Sequence, residues 1–270
     1  YARNDLSLIA PPLSDLGSDT ITDSAAVSLQ QTLYRSPRDE FNLTVSLSRR
    51  DNHTTLLGHN FSFSDGAIDG WMNSTAIRTS LDWTTRTDTW VIAARSTLSA
   101  GIDALGATIH QDSQPDSRFF TWLGEVQHVW RITPIDSTLL SRASVQIADR
   151  HLLALEQFSL GGVDTVRGYR ESTLLRDDAV FASVELRKPL PLSIRGVDLQ
   201  GALFSDFGYG WDRSGGSRDR ALLSVGCGVL FDILSHVQGQ VYWGIPLCNQ
   251  PKGDNLQDMG IHFQMVLTAF

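Results

Sequence analysis

Hydrophobic and polar residues alternate along several segments of this chain. Between residues 41 and 48, every odd position is hydrophobic and every even position is polar. The segments 137–147, 180–187 and 237–245 alternate in the same way with few exceptions. Successive side chains of a β-strand point to opposite faces, so this pattern predicts strands with one hydrophobic and one polar face. The chain is therefore predicted to be all-β.

The same alternation predicts about eleven or twelve strands along the whole chain. Their centres lie near residues 29, 45, 77, 94, 125, 142, 183, 201, 226, 241 and 264, and a further strand is predicted at 3–10. The predicted strands are close to the roughly 9 to 11 residues with which a tilted strand crosses a bilayer.

The connections between the predicted strands are alternately short and long. The short ones are 35–40, 84–88, 133–136, 188–196 and 232–236, and the long ones are 51–70, 101–117, 149–177, 208–219 and 246–258. Up-and-down barrels of the outer membrane have short turns on one rim and long loops on the other. The chain is therefore predicted to form an antiparallel transmembrane β-barrel, with residues 1–270 as a single domain.

The positions of the tryptophans favour a barrel. Six of the seven lie at or near predicted strand ends on the hydrophobic parity: Trp71, Trp83, Trp90, Trp122, Trp130 and Trp243. Membrane barrels place aromatic residues at the two interfaces in this way. The alternative is a soluble β-sandwich whose tryptophans lie in the core.

Composition and charge narrow the possible functions. The chain has 22 Lys and Arg against 30 Asp and Glu, a net charge of −8, and no run of basic residues. Nucleic acid is not an expected partner, because phosphate binding needs a concentrated basic patch. Cys227 and Cys248 lack the spacing of a zinc site, and no cofactor is predicted. The longest hydrophobic run, 90–94, is far shorter than the roughly 20 residues of a membrane-spanning helix.

Sequence motifs of common enzymes are absent. The chain has no Gly-x-Ser-x-Gly elbow, no His-Glu-x-x-His, no phosphate-binding glycine loop and no dinucleotide fingerprint. His53 and His59 share a long predicted loop with Asp51 and Asp65, which leaves a surface hydrolase as an alternative. Because solvated histidines and carboxylates are usual in loops, we predict that the protein is not an enzyme.

The loop 149–177 contains the most informative segment. Residues 158–169 read FSLGGVDTVRGY. Gly161, Gly162 and Gly168 permit positive φ or a close approach of the backbone. These glycines predict a shaped hairpin tip that presents the guanidinium of Arg167.

Asp206 is the acidic residue that could meet this tip. It shares the polar parity of Asp198 and Gln200, so it is predicted to point into the lumen. If the loop folds inward, Arg167 and Asp206 form a bidentate pair that fixes the loop inside the pore. If the loop does not fold inward, Arg167 lies in solvent and Asp206 only lines the channel.

Two motifs resemble those of a known family. The string Phe158-Ser-Leu-Gly-Gly with Val166-Arg167-Gly168-Tyr169, followed by Phe204-x-Asp206-x-Gly208, is similar to the hallmark motifs of two-partner secretion transporters of the haemolysin-activator type. Glu185, within the segment 180–190, and the terminal Phe270 extend the resemblance over the C-terminal part of the chain.

The resemblance implies a sixteen-stranded barrel with the loop 149–177 folded into its lumen. Since about eleven or twelve strands are predicted here, the chain is expected to be N-terminally incomplete. The implied loop tip is Val166, Arg167, Gly168 and Tyr169, and the implied partners on the lumen wall are Phe204, Asp206 and Gly208. Further lumen-facing residues are predicted at Glu185, Arg187 and Gln200.

The function implied by the resemblance is a protein translocation pore in the outer membrane of a Gram-negative-type bacterium. Its partners would be a secreted exoprotein, the lipid of the outer membrane and, during biogenesis, the barrel assembly machinery. The alternatives are a barrel-assembly factor of the same superfamily, a general porin and a barrel enzyme.

Overall fold

The computed structural model describes residues 2–7, 18–112, 114–191, 196–214, 220–233, 237–248 and 256–267. Within these ranges, a short 3-10 helix lies at Thr133–Ile135. No helix in the described ranges is long and apolar enough to cross a membrane. The strands are β1 (Ala2–Ser7), β2 (Ser18–Arg35), β3 (Asp39–Leu56), β4 (His59–Asn60), β5 (Trp71–Arg86), β6 (Trp90–Gly101), β7 (Phe120–Ile132), β8 (Ser137–Ala148), β9 (Phe158–Leu160), β10 (Leu174–Arg176), β11 (Asp178–Pro189), β12 (Val197–Trp211), β13 (Arg220–Ile233), β14 (Val237–Pro246) and β15 (Ile261–Leu267).

Thirteen of these strands form one sheet, and all but β4 follow one another in the order β1-β2-β3-β5-β6-β7-β8-β11-β12-β13-β14-β15. Every neighbouring pair is antiparallel, so the chain runs up and down along the wall of a barrel. β4 pairs with the end of β3, and β9 and β10 form a small hairpin within the loop 149–177. The predicted set of strands is confirmed.

The connections keep the predicted order of short and long. Short ones follow β2, β5, β7, β11 and β13, and long ones follow β3, β6, β8, β12 and β14, although the contrast between 190–196 and 212–219 is small. The predicted loops 51–70 and 208–219 begin too early, because β3 continues to Leu56 and β12 to Trp211. The strands of a hairpin can continue beyond the bilayer. They can therefore be longer than the roughly 9 to 11 residues that cross it. Residues 8–10 of the predicted strand 3–10, together with residues 113, 192–195, 215–219, 234–236, 249–255 and Phe270, lie outside the described part of the chain.

The outer face of the sheet is hydrophobic. Val184 in the middle of β11 is 49% exposed, and Leu203 of β12 is 64% exposed. Several tryptophans near strand ends are also exposed: Trp71, Trp122, Trp130 and Trp243. A soluble sandwich would bury these side chains, so the structure contradicts that alternative.

The inner face of the sheet is covered in part by the loop 149–177. Leu160, Val166 and Tyr169 of this loop are buried against Phe181 of β11 and Leu222 of β13. This hydrophobic cluster therefore lies inside the barrel, between the loop and the strands β11–β13.

Candidate functional site

Two aspartates bring the ends of the loop 149–177 together. Asp177 accepts hydrogen bonds from the backbone N of Leu152 at 2.9 Å and of Arg213 at 2.8 Å. Asp178 accepts one from the backbone N of Ala148 at 2.7 Å. These carboxylates satisfy backbone N–H groups that have no partner in a sheet ladder. The loop therefore starts and ends at one place on the wall.

Glycines allow the loop to turn inside the barrel. Gly161, Gly162 and Gly168 have φ values of 106°, 105° and 93°, in the region that favours glycine. Gly168 approaches Gly244 of β14 so closely that a Cβ on Gly244 would lie 2.5 Å from the Gly168 N. The backbone N of Gly168 also donates to Nε2 of His262 in β15 at 3.0 Å. The loop tip thus lies directly against the inner wall.

Arg167 at this tip is bound by two carboxylates of the wall. Its Nε donates to Oδ2 of Asp206 at 2.8 Å, and its Nη2 donates to Oδ1 of the same group at 2.8 Å. Nη1 donates to Oε2 of Glu185, and Ser183 Oγ donates to Asp206 Oδ1 at 2.6 Å. Arg167 is 1% exposed. In such a dehydrated site, bidentate and charge-assisted hydrogen bonds are strong.

Two aromatic rings enclose the same guanidinium. Its central carbon lies 3.7 Å from the ring centroid of Phe204 in β12 and 4.6 Å from that of Tyr242 in β14. The two rings meet edge to face, with centroids 5.6 Å apart. Cation–π attraction is strongest for a desolvated cation, as here. Tyr242 Oη also donates to Oε1 of Glu185 at 2.9 Å. The hydroxyl is therefore held by Glu185 while the face of the ring contacts the guanidinium of Arg167.

The charges around Arg167 are balanced. Nε of Arg187 donates to Oε1 of Glu185 at 2.5 Å, so two guanidinium groups face the carboxylates of Glu185 and Asp206. Burial alone would lower the pKa of Arg167, but the hydrogen bonds and charges of Asp206 and Glu185 outweigh it and raise this pKa above its usual range. Arg167 therefore remains charged, and the four groups together carry no net charge.

The other predicted tip and wall residues join the same contact. Tyr169 Oη donates to the carbonyl of Leu223 at 2.9 Å and accepts from the backbone N of Cys248 at 3.0 Å. Gly208 leaves space for the loop, because a Cβ there would lie 2.9 Å from Cγ2 of Val166. The structure thus brings together the residues predicted for the tip and the wall: Val166, Arg167, Gly168, Tyr169, Phe204, Asp206 and Gly208.

Gln200 lies apart from this contact. It lines a cavity of about 360 Å³ near the short-turn end of β12, together with Gln238, Gln240 and Gln264. Arg187 lines the same cavity and connects it to the Arg167 cluster through Glu185. Among the predicted lumen residues, Glu185 and Arg187 therefore belong to the group of charged side chains around Arg167. Gln200 only lines the cavity.

The sequence of this chain matches the model of one protein family. The model of the haemolysin secretion/activation proteins ShlB/FhaC/HecB matches residues 4–231. The chain belongs to this family. The resemblance inferred from the two motifs is confirmed. No curated protein sequence matches the chain.

Solved structures of other proteins share the fold of this ShlB/FhaC/HecB family member. CdiB from Escherichia coli matches with a TM-score of 0.77 and 20% identity, over 92% of this chain and 45% of CdiB. CdiB from Acinetobacter baumannii matches with a TM-score of 0.66 and 15% identity, over 90% of this chain and 42% of that CdiB. BamA from Haemophilus ducreyi lacking POTRA domains 1-3 matches with a TM-score of 0.60 and 12% identity, over 97% of this chain and 56% of that BamA chain. These similarities show a shared barrel fold, and the chain spans less than half the length of either CdiB chain.

Sequence reasoning missed several residues at the site of this family member: Ser183, Tyr242, Gly244 and His262. A signal for two of them was present. Tyr242 shares the polar parity of Gln238 and Gln240, and His262 shares that of Gln264. An aromatic ring on the polar face of a barrel strand indicates that something packs against it inside the lumen.

The alternative hydrolase site consists of His53, His59, Asp51 and Asp65. His53 Nε2 lies 2.9 Å from Oδ1 of Asn60, and Asp51 Oδ1 accepts from Nε of Arg49 at 2.9 Å. His53 and Asp51 are therefore engaged with other partners. The family match is to secretion/activation proteins, so the geometry and the family give no support to a hydrolase.

Replacing Tyr242 with phenylalanine tests how much its hydroxyl contributes. The ring stays over the guanidinium, but the buried Glu185 loses one hydrogen bond. We expect the free energy of unfolding to fall by about 1 to 3 kcal/mol, as for a buried acceptor that loses its donor. Unfolding of the full-length protein by urea in lipid vesicles measures this. Phenylalanine at Tyr34, which is 55% exposed near the end of β2, is the control, and an equal loss there would contradict the expectation.

Proposed function

We propose that this chain is the barrel part of an outer-membrane translocation pore that secretes a large partner exoprotein, as two-partner secretion transporters do. The observation that carries the proposal is the buried contact of Arg167 with Asp206 and Glu185 in a member of a secretion family. This contact fixes a loop inside a polar lumen. A loop held in this way suits a pore that stays narrow until a polypeptide partner engages it.

The lumen is suited to the passage of an extended polypeptide. Gln30, Asn42, Thr44 and Gln127 line it with uncharged polar groups. Each hydrogen bond to such groups contributes about 0.5 to 1.5 kcal/mol net, so the moving chain would not be retained. No nucleotide or ion gradient is available at the outer membrane, and we propose that folding of the exoprotein on the cell surface provides the free energy.

The proposal places the barrel in the outer membrane of a Gram-negative-type bacterium. The exposed hydrophobic face of the sheet supports contact with lipid, because its side chains would otherwise face water. The barrel assembly machinery would insert the protein during biogenesis. Neither nucleic acid nor catalysis is part of the proposed function.

Arginine in place of Val184 tests the contact with lipid. Val184 points outward from the middle of β11. A charged side chain at the bilayer midplane destabilises a membrane barrel by about 2 to 4 kcal/mol. We expect Val184→Arg to lower the free energy of unfolding in lipid vesicles by this amount and Val184→Leu to change it by less than about 1.5 kcal/mol. Equal stability of the two variants would contradict lipid contact.

Secretion by the full-length protein tests the proposed function. Cells that make this protein and the exoprotein encoded with it should release the exoprotein, and deletion of the transporter should leave the exoprotein in the periplasm. Depletion of other outer-membrane proteins would instead identify an assembly factor, which the structural similarity to BamA makes the second candidate. Free entry of small sugars into liposomes without an exoprotein would identify a porin.

A further inference from the structure

The loop 149–177 crosses the lumen and leaves its two sides unequal. On the side of β11–β15, Val166 and Tyr169 are fully buried, and the backbones of Gly168 and Gly244 are in contact. On the side of β2–β8, a cavity of about 690 Å³ separates the loop from the wall. A polypeptide that passes the loop therefore finds open volume on the side of β2–β8.

The lining of this cavity suits an extended polypeptide of variable sequence. Thr44 of β3, Gln127 of β7 and Ser144 of β8 line it with uncharged polar groups. Five charged residues also line it, and their charges sum to −1: Asp82, Arg95, Glu125, Arg142 and Asp164. Asp82 and Arg95 form an ion pair with each other at 2.5 Å. Uncharged groups can bind a peptide backbone whatever its side chains are, and charges of mixed sign produce a weaker field than charges of one sign.

A second ion pair holds the loop at the long-loop end of this cavity. Glu156 is 8% exposed, and Nη2 of Arg78 in β5 donates to its two oxygens at 2.8 and 2.7 Å. Ser74 Oγ donates to Oε1 of the same carboxylate at 2.8 Å. Nη1 of Arg50 in β3 lies 3.7 Å from Oε2 and donates to the carbonyl of Leu155 at 2.8 Å. The loop is therefore bound to both sides of the lumen.

The two contacts differ in how far they are removed from water. The side chains of Arg167 and Asp206 are 2% and 0% exposed. Those of Arg78 and Glu156 are 18% and 4% exposed, and that of Arg50 is 41% exposed. Opening a partly hydrated pair is easier, because water replaces the hydrogen bonds that are lost. The Glu156 contact is therefore the easier of the two to open.

Arg78 keeps its place on the wall without Glu156. Its Nε donates to Ser48 Oγ at 3.1 Å, and its Nη1 donates to Ser99 Oγ at 3.0 Å. The guanidinium can release the carboxylate and remain oriented to bind it again. This arrangement suits a contact that opens and closes repeatedly.

We propose that the exoprotein passes between the loop and the strands β2–β8, and that the contact of Glu156 with Arg78 opens for it while the Arg167 contact stays closed. Glu156 and Arg78 are then positioning residues that hold the base of the loop over the route. The inference rests on the proposed secretion function and adds the route and the contact that controls it.

Channel recordings of the full-length protein in planar lipid bilayers test this contact. Glu156→Gln and Arg78→Gln are each expected to raise the mean conductance several-fold, because the loop base detaches from β5. Arg78→Lys keeps a charged donor and should restore part of the closure. Glu40→Gln, which removes a surface ion pair with Arg35, is the matched control and should leave the conductance unchanged. Heat-modifiable migration on gels reports folding, and folded Glu156→Gln protein with ordinary conductance would overturn the inference.

Photo-cross-linking during secretion tests the route. A benzophenone amino acid at Thr44 or Gln127 is expected to capture the exoprotein more strongly than one at Gln240, on the opposite side of the lumen. Equal or stronger capture at Gln240 would overturn the route even though secretion proceeds. Absence of secretion by the unsubstituted protein would refute the proposed function itself.

Discussion

Replacing Arg167 with alanine is expected to leave the barrel assembled but to abolish or strongly reduce secretion of the exoprotein. Removing one partner of a buried ion pair costs about 3 to 5 kcal/mol, because the remaining charge stays in a dehydrated site. Here the carboxylates of Asp206 and Glu185 would lose the guanidinium that both of them bind. This free energy holds the loop tip on the wall, whereas the ladders between strands are untouched. Exoprotein in the medium measures the loss of secretion, and heat-modifiable migration on gels measures assembly of the barrel.

Arg150 provides a matched control on the same loop. Its Nε donates to Oδ2 of Asp149 at 2.9 Å, and the two side chains are 56% and 36% exposed. Exposed ion pairs contribute about 0 to 1 kcal/mol, so Arg150→Ala should secrete at nearly the ordinary level. Arg167→Lys keeps the charge but cannot form the bidentate contact, and an intermediate level is expected. Ordinary secretion by Arg167→Ala would contradict the role proposed for this contact.

Alanine at Gly244 is expected to reduce secretion almost as strongly, although no charge is changed. A Cβ at this position would lie 2.5 Å from the backbone N of Gly168 and 2.8 Å from the backbone carbon of Arg167. These backbone atoms cannot rotate away, so the tip must move off the wall and stretch its contacts with Asp206 and His262. Added methyl groups in packed sites cost about 1 to 3 kcal/mol. Secretion and channel conductance of Gly244→Ala measure the effect.

Gly201 of β12 is the control for a strand glycine. A Cβ there would meet only the side chain of Leu190, at 3.4 Å, which is ordinary contact. Gly201→Ala should therefore assemble and secrete normally. Equal loss in both variants would mean that alanine in a strand harms assembly, and ordinary secretion by Gly244→Ala would refute the importance of the close backbone approach.

The wall of the barrel could be predicted from the sequence because each strand faces two different environments. The alternation at 41–48 lies within β3, and the same parity argument places Val184 outside and Asp206 inside. Strand ends were harder to predict. The ladder of β3 continues through polar residues to Leu56, where membrane exposure no longer imposes alternation.

The site could be predicted only in part. Arg167 and Asp206 stand in recognisable motifs, and Asp206 has the parity of the lumen. Parity predicts that Glu185 faces the lumen but does not predict its contact with Arg167. That contact depends on barrel curvature and on strand register, which sets Glu185 opposite Phe204. The contact of Glu156 with Arg78 joins a loop residue to a strand residue with no periodic relation between them. Such contacts follow from packing in three dimensions and leave no pattern along the chain.

Strand length determines how high each part of the barrel mouth rises. β2 and β3 contain 18 residues each, whereas β14 contains 10. At about 3.3 Å per residue, the difference amounts to roughly 25 Å along the strand, on the rim that carries the long loops. An emerging exoprotein would meet a tall hairpin on one side and a low edge on the other. We expect it to leave sideways across the low edge, so that its first folded turns form close to the cell surface.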